Sequence, residues 1–213
     1  MQQHIFKFIT ILALIFVSNT KVWAQHGYAL WGKLKYSAGF SHFDYANINA
    51  PQQGELRLVS NLRTSTFDKF NPFTIKGNSP AYLSNLMFDS LLTGSLDETA
   101  SAYGLLAQEV KVSADGLSAT FVLRPNAKFH NDQAVSAQDV LYSFDTLNGP
   151  FTSPGYKTLL ADVASAKVLN PSTIVFYFKK ANRELPLTVG GLPIFSRSWG
   201  FDKTTQKNKP FDQ

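Results

Sequence analysis

The sequence predicts a mixed α/β fold, with helices and antiparallel strands in succession, on three observations. Two stretches, Val110–Leu123 and Ala166–Lys179, each hold two strand-like runs around a turn, Asp115-Gly116 in the first and Asn170-Pro171-Ser172 in the second. Between them, Val140, Leu141, Phe144 and Leu147 recur at helical spacing. The 213 residues include 18 phenylalanines and no cysteine, so an apolar core rather than disulfides must hold the fold.

Taken in order, the chain begins with a leader. Lys7 sits in a short polar start, Phe8 to Val17 is apolar, and Val22-Trp23-Ala24 offers compact residues where a signal peptidase reads. This pattern predicts a secretory signal peptide, residues 1–24, cut after Ala24. The apolar run falls well short of the roughly 20 residues that span a bilayer. With no cysteine to lipidate, the expected product is a freely diffusing exported protein, which suits an enclosed periplasm.

Gln25 to Pro51 has no clear period but is rich in aromatics, including Tyr36, Phe40, Phe43 and Tyr45, and reads as an extended segment packed on the body. Glu55 to Ser60 reads as a short strand with Leu56 and Leu58 on one face. After Phe67–Phe73 comes a loop, Thr74 to Asn78. Ser79 is then expected to cap a helix with Pro80 in its first turn, and Leu83, Leu86, Met87 and Leu91 to form its buried stripe. In the central helix, Ser136 and Asp139 have the spacing of a capping box, and Gly149-Pro150 ends the run. A last short helix is predicted from Arg183 to Val189, with Asn182 as cap. Lys203 to Gln213 is polar and without period.

Composition and motif searches exclude several function classes. The net charge is +5, two charges of which, Lys7 and Lys21, lie in the leader, and no basic run exceeds Lys179-Lys180. A nucleic-acid footprint of clustered basic and stacking residues is absent. Gly77-Asn78-Ser79-Pro80-Ala81 holds half of a nucleophile elbow, and Ser153-Pro154-Gly155-Tyr156 lacks the lysine of a serine–lysine pair. The four histidines are isolated, so no metal site and no cofactor is expected. His42 with Asp44 and His130 with Asp132 read as hydrogen-bonded loop pairs. Nothing supports catalysis.

Several blocks, taken together, resemble the family 5 extracellular solute-binding proteins. They are Gly54-Glu55-Leu56-Arg57-Leu58, Phe70-Asn71-Pro72, Phe88-Asp89-Ser90-Leu91 and Leu106-Ala107-Gln108-Glu109. The longest runs from Thr120-Phe121-Val122-Leu123-Arg124 through Lys128-Phe129-His130-Asn131-Asp132 to Asp139-Val140 and Ser143-Phe144. Tyr28-Ala29-Leu30, Phe43-Asp44-Tyr45 and Asn182–Leu187 are most similar to the Yej-type oligopeptide and microcin C importers within that family. Asn131-Asp132 stands where the family usually has Asp-Gly, which puts a local turn in question. Members are considerably longer, so the chain resembles the N-terminal part of one.

The resemblance implies a type II periplasmic-binding fold with an extra subdomain and with the second lobe missing. Residues 25–71 would open the first lobe, 72–181 would be the extra N-terminal subdomain, and 182–213 would return to the first lobe. It implies a binding component, not an enzyme, that captures oligopeptides for the permease subunits of an ABC importer, with no nucleic-acid partner and as a monomer. In related peptide binders the loop after the Asn-Pro motif runs beside the ligand backbone. That assigns Lys76, Gly77 and Asn78 to the ligand, or else to a plain turn. Tyr156 matches an aromatic near the cleft, or else packs. A nickel chelate, haem, opine or sugar oligomer is the alternative ligand, and a periplasmic enzyme or chaperone the alternative class.

Overall fold

A computed structural model describes residues 24–51, 53–55, 57, 67–80, 82–202, 204–205 and 207–208. The expected leader, but for Ala24, and most of the expected Glu55–Ser60 strand lie outside the described residues. The described elements run β1 (Gly27–Ala29), α1 (Leu83–Met87), β2 (Leu92–Gly94), β3 (Ser101–Gly104), β4 (Ala107–Val112), β5 (Ser118–Leu123), α2 (Ala137–Leu147), α3 (Pro154–Leu159), β6 (Val163–Asn170), β7 (Thr173–Phe178), α4 (Leu185–Gly190), β8 (Phe201–Asp202) and β9 (Lys207–Asn208). Every strand pair among the described residues is antiparallel.

The two hairpins form as their patterns dictate and join into one sheet, in the order β4-β5-β7-β6. Ala119, Phe121 and Leu123 alternate inward along β5. The turn before them is tied by Ser113, whose Oγ donates to Asp115 Oδ1 at 2.6 Å, and Gly116 takes φ 69° there. The strands β5 and β7 pair with Phe121 opposite Ile174. Helix α2 lies against β6 and β7, and its ring Phe144 meets Phe176 edge-on at 5.5 Å, while Phe176 meets Phe121 at 5.9 Å. Val140, Phe144 and Leu147 are buried as the helical period requires, with Leu141 partly so.

The aromatic N-terminal segment is anchored through a second sheet, β1-β3-β2, which the sequence did not reveal as strands. Tyr36, Phe40 and Phe43 gather around Tyr103 of β3, with centroids 5.0 to 5.6 Å from its ring. Burial and the Glu98 carboxylate push the Tyr103 phenol up to about 12, so it donates to Glu98 Oε2 at 2.6 Å across any ordinary pH. Arg124 binds the two sheets together. Its guanidinium donates to the Leu105 carbonyl at 2.7 Å and the Gly104 carbonyl at 3.0 Å, in the link between β3 and β4.

Four expectations need correction. The helix near Ser79 does not start there. Tyr82 adopts φ 64°, a left-handed conformation that breaks the run, and α1 begins at Leu83 without a side-chain cap. Its apolar stripe is not buried either: Leu86 is 73% and Met87 48% exposed, and only Leu91, beyond the helix, is in the core. Among the described residues neither histidine–aspartate pair forms. His42 bonds Ser41 Oγ at 2.8 Å, Asp44 pairs with Lys35, and Asp132 pairs with Lys128. Helix α4 forms with Pro186 in its first turn, but Asn182 caps the preceding turn by accepting from Glu184 N at 2.9 Å.

Candidate functional site

The loop of residues 67–78 is shaped by one residue that needs left-handed backbone. Gly77 has φ 75°, and a Cβ there would lie 3.2 Å from Asp68 Cβ and 3.4 Å from Lys69 Cδ. Only glycine fits that backbone without strain and keeps the loop folded against Asp68 and Lys69. The main chain then closes on itself: Asp68 N donates to the Asn78 carbonyl at 2.9 Å, and Asn78 N donates to Asp68 Oδ2 at 3.0 Å. Lys69 Nζ donates to both Thr74 O and Thr74 Oγ1, each at 2.7 Å.

Of the predicted ligand residues, Lys76, Gly77 and Asn78 are all exposed, but they are not equivalent. Asn78 spends its amide and carbonyl on Asp68 and Lys69. No hydrogen bond among the described residues engages the backbone of Lys76 or Gly77. Two adjacent peptide units thus present open donors and acceptors on a loop whose conformation is fixed on either side.

Tyr156 is brought into the same neighbourhood through Phe73. Ser153 N donates to the Phe73 carbonyl at 2.8 Å, and Thr74 bridges to Thr152 in antiparallel fashion, which seats α3 against the loop. The half-buried Tyr156 ring meets buried Phe73 edge-on, centroids 6.1 Å apart. Burial raises the phenol pKa, and its hydroxyl makes no hydrogen bond among the described residues. Asp68, Lys69 and Thr74, which build this loop, are the residues sequence reasoning missed.

Phe73 also meets the rings of Phe88, Phe195 and Trp199, which line a groove of about 660 Å³ together with Phe70, Leu86 and Phe129 among others. Trp199 stands 5.4 Å from Phe88 and 5.2 Å from Phe195. None of the four predicted ligand residues lines this groove. Among the described residues, no cluster of three metal-ligating side chains is present, and no helix is long and apolar enough to cross a membrane.

Residues 101–212 match the family described as bacterial extracellular solute-binding proteins, family 5 middle, more than half of the chain. The chain belongs to the family 5 solute-binding proteins. Over 205 residues it is 38% identical to the Agrobacterium fabrum protein named "Probable peptide-binding protein YejA", covering 96% of this chain and 32% of that one. The chain therefore spans about a third of the length of that curated relative. Among solved structures, it is similar to a dipeptide-binding protein from Pseudoalteromonas in complex with Met-Leu, at a TM-score of 0.54 and 21% identity over 65% of this chain and 32% of that. It is also similar to NikZ from Campylobacter jejuni in complex with Ni(L-His), at a TM-score of 0.52 and 24% identity over 70% of this chain and 28% of that. Both structures share its fold, the type II periplasmic-binding architecture, of which this chain covers only part.

Proposed function

We propose that the protein is the periplasmic substrate-binding component of an ABC importer, and that it captures oligopeptides through main-chain contacts and delivers them to the membrane permease. The observation that carries this reading is the pair of exposed peptide units at Lys76 and Gly77, unengaged among the described residues and flanked by the Asp68–Asn78 closure. A ligand whose backbone repeats N–H and C=O groups can satisfy them as an added strand, whatever its side chains. Glycine at position 77 leaves room for such close approach. The Tyr156 hydroxyl, without a hydrogen-bond partner among the described residues, lies in the same neighbourhood and offers a further polar contact.

In this reading residues 1–24 direct export, 25–71 and 182–213 belong to the first lobe, and 72–181 form the extra subdomain. Closure of a second lobe over the peptide would present the permease with the liganded shape. The similarity to the peptide-binding relative supports peptide as cargo. A second reading, a non-peptide ligand on the same fold, has its support in the nickel–histidine complex of the Campylobacter protein. Isothermal titration of the intact protein with a random tetrapeptide pool, with Ni(L-His), with haem, with an opine and with a sugar oligomer separates the two. Heat is expected from the peptide pool. Silence with peptides and heat from any of the others would transfer the assignment to that ligand.

A further inference from the structure

Lys69 is a charged side chain in a partly buried place with only neutral partners. Its ammonium carries three donors, and Thr74 takes two of them, through O and Oγ1 at 2.7 Å each. It forms no ion pair among the described residues. The neighbouring Asp68 carboxylate is turned to the Asn78 amide instead. Burial lowers the ammonium's pKa, against the attraction of Asp68. A loop brace alone would need no charge, because a neutral amide could meet both acceptors of Thr74. A partly buried ammonium whose hydrogen bonds go only to neutral groups has a donor left over that an anion would suit. The Lys69 stem runs directly beneath Gly77, and exposed Lys76 adds a second positive charge to the same loop.

We infer that Lys69 is a carboxylate-recognition residue, its third N–H binding a carboxylate of the peptide whose backbone lies along Lys76 and Gly77. The inference rests on the peptide-binding reading proposed above. The carboxylate has two chemical sources, the peptide's C-terminus or an acidic side chain.

The test is calorimetric titration of the intact protein with two matched pairs. The first pair is Ala-Ala-Phe-Ala as the free acid and as the C-terminal amide. The second is Ala-Glu-Phe-Ala amide and Ala-Gln-Phe-Ala amide. The expected result is a preference of about tenfold or more for the acidic member of one pair, as a charge-assisted hydrogen bond supplies; the pair that shows it names the source. In Lys69→Gln the ratio should collapse to within about threefold, and Lys69→Arg should retain most of it. Equal loss of both members in Lys69→Gln would make Lys69 a brace and overturn the inference, as would wild-type protein that prefers neither acid. If the wild-type protein binds none of the four peptides, the peptide reading itself falls and this site with it.

Discussion

Asp97 gathers three donors at the protein surface. Lys35 Nζ lies at 2.7 Å and the Tyr36 hydroxyl at 2.5 Å from Oδ2, and the Ser95 hydroxyl at 2.5 Å from Oδ1. Lys35, then Ser95 and Tyr36, hold the carboxyl far below its ordinary range. A depressed carboxyl pKa stabilises the folded state above the unfolded value, and that gain is lost as pH falls towards the folded one. Asp97→Asn should therefore lower Tm at neutral pH, and the gap to wild type should close as the buffer is taken below about pH 4, near the unfolded carboxyl pKa; a gap independent of pH would show that the charge is irrelevant. Asp132 is strained rather than stabilising. It occupies φ 63°, and the turn forms with Phe129 N donating to the Gln133 carbonyl and Asp132 N to the Phe129 carbonyl, both at 2.9 Å. The departure from the family's Asp-Gly leaves the turn intact and loads it with left-handed strain. Asp132→Gly should stabilise the chain by about 0.5–1 kcal/mol in urea denaturation, because the exposed pair with Lys128 that it sacrifices, at 3.5 Å, is worth little.

At the scale of elements, α2 is the piece on which most depends. Asp139 Oδ2 accepts from Ser136 N at 3.0 Å to complete the capping box, and Oδ1 accepts from Arg197 N at 3.0 Å. One turn later Ser143 Oγ donates to the Phe195 carbonyl at 3.1 Å and accepts from Phe195 N at 2.9 Å. Asp139 thus both caps the helix and, with Ser143, grips the segment that forms the groove wall. Asp139→Ala should cost about 2–3 kcal/mol, read as a lower urea midpoint, because cap and charged hydrogen bond go together. The capping box was legible in the sequence because it is local, a spacing of three residues; the grip on Arg197 was not, because nothing local marks a contact 58 residues away. Both hairpins were legible for the same reason as the cap. The strands β1, β2 and β3 were missed because three or four residues are too few to show a period, and α3 because Ser153-Pro154-Gly155 reads as a turn. The Leu83–Met87 stripe has the helical period it announces, but periodicity says which face is apolar and not whether anything covers it. Of the loop, the glycine and the Asn-Pro landmark were readable; Lys69 was not, because a lysine in a polar loop carries no local mark of the Thr74 groups that hold it.

At the scale of the molecule, the apolar side chains divide into those inside the core and those around the groove. Phe70 and Leu86 are 69% and 73% exposed, while Phe73, one ring away from the groove wall, is 1% exposed. An apolar concavity of this kind attracts amphipathic dyes. The double variant Leu86→Ser/Met87→Ser should reduce anilinonaphthalene sulfonate fluorescence while leaving the urea midpoint within about 0.5 kcal/mol of the starting protein, as substitutions at uncovered positions do. A large loss of stability would mean that these side chains are packed after all. The clasp between α2 and the 195–197 segment has a temporal consequence. A ribosome adds roughly 5–20 residues each second, so the first turn of that helix exists for several seconds before its far partner has been made. Nascent chains arrested just short of Arg197 should carry the self-capped helix and both hairpins but yield to protease near the C-terminal side, and release of a few more residues should lock the whole.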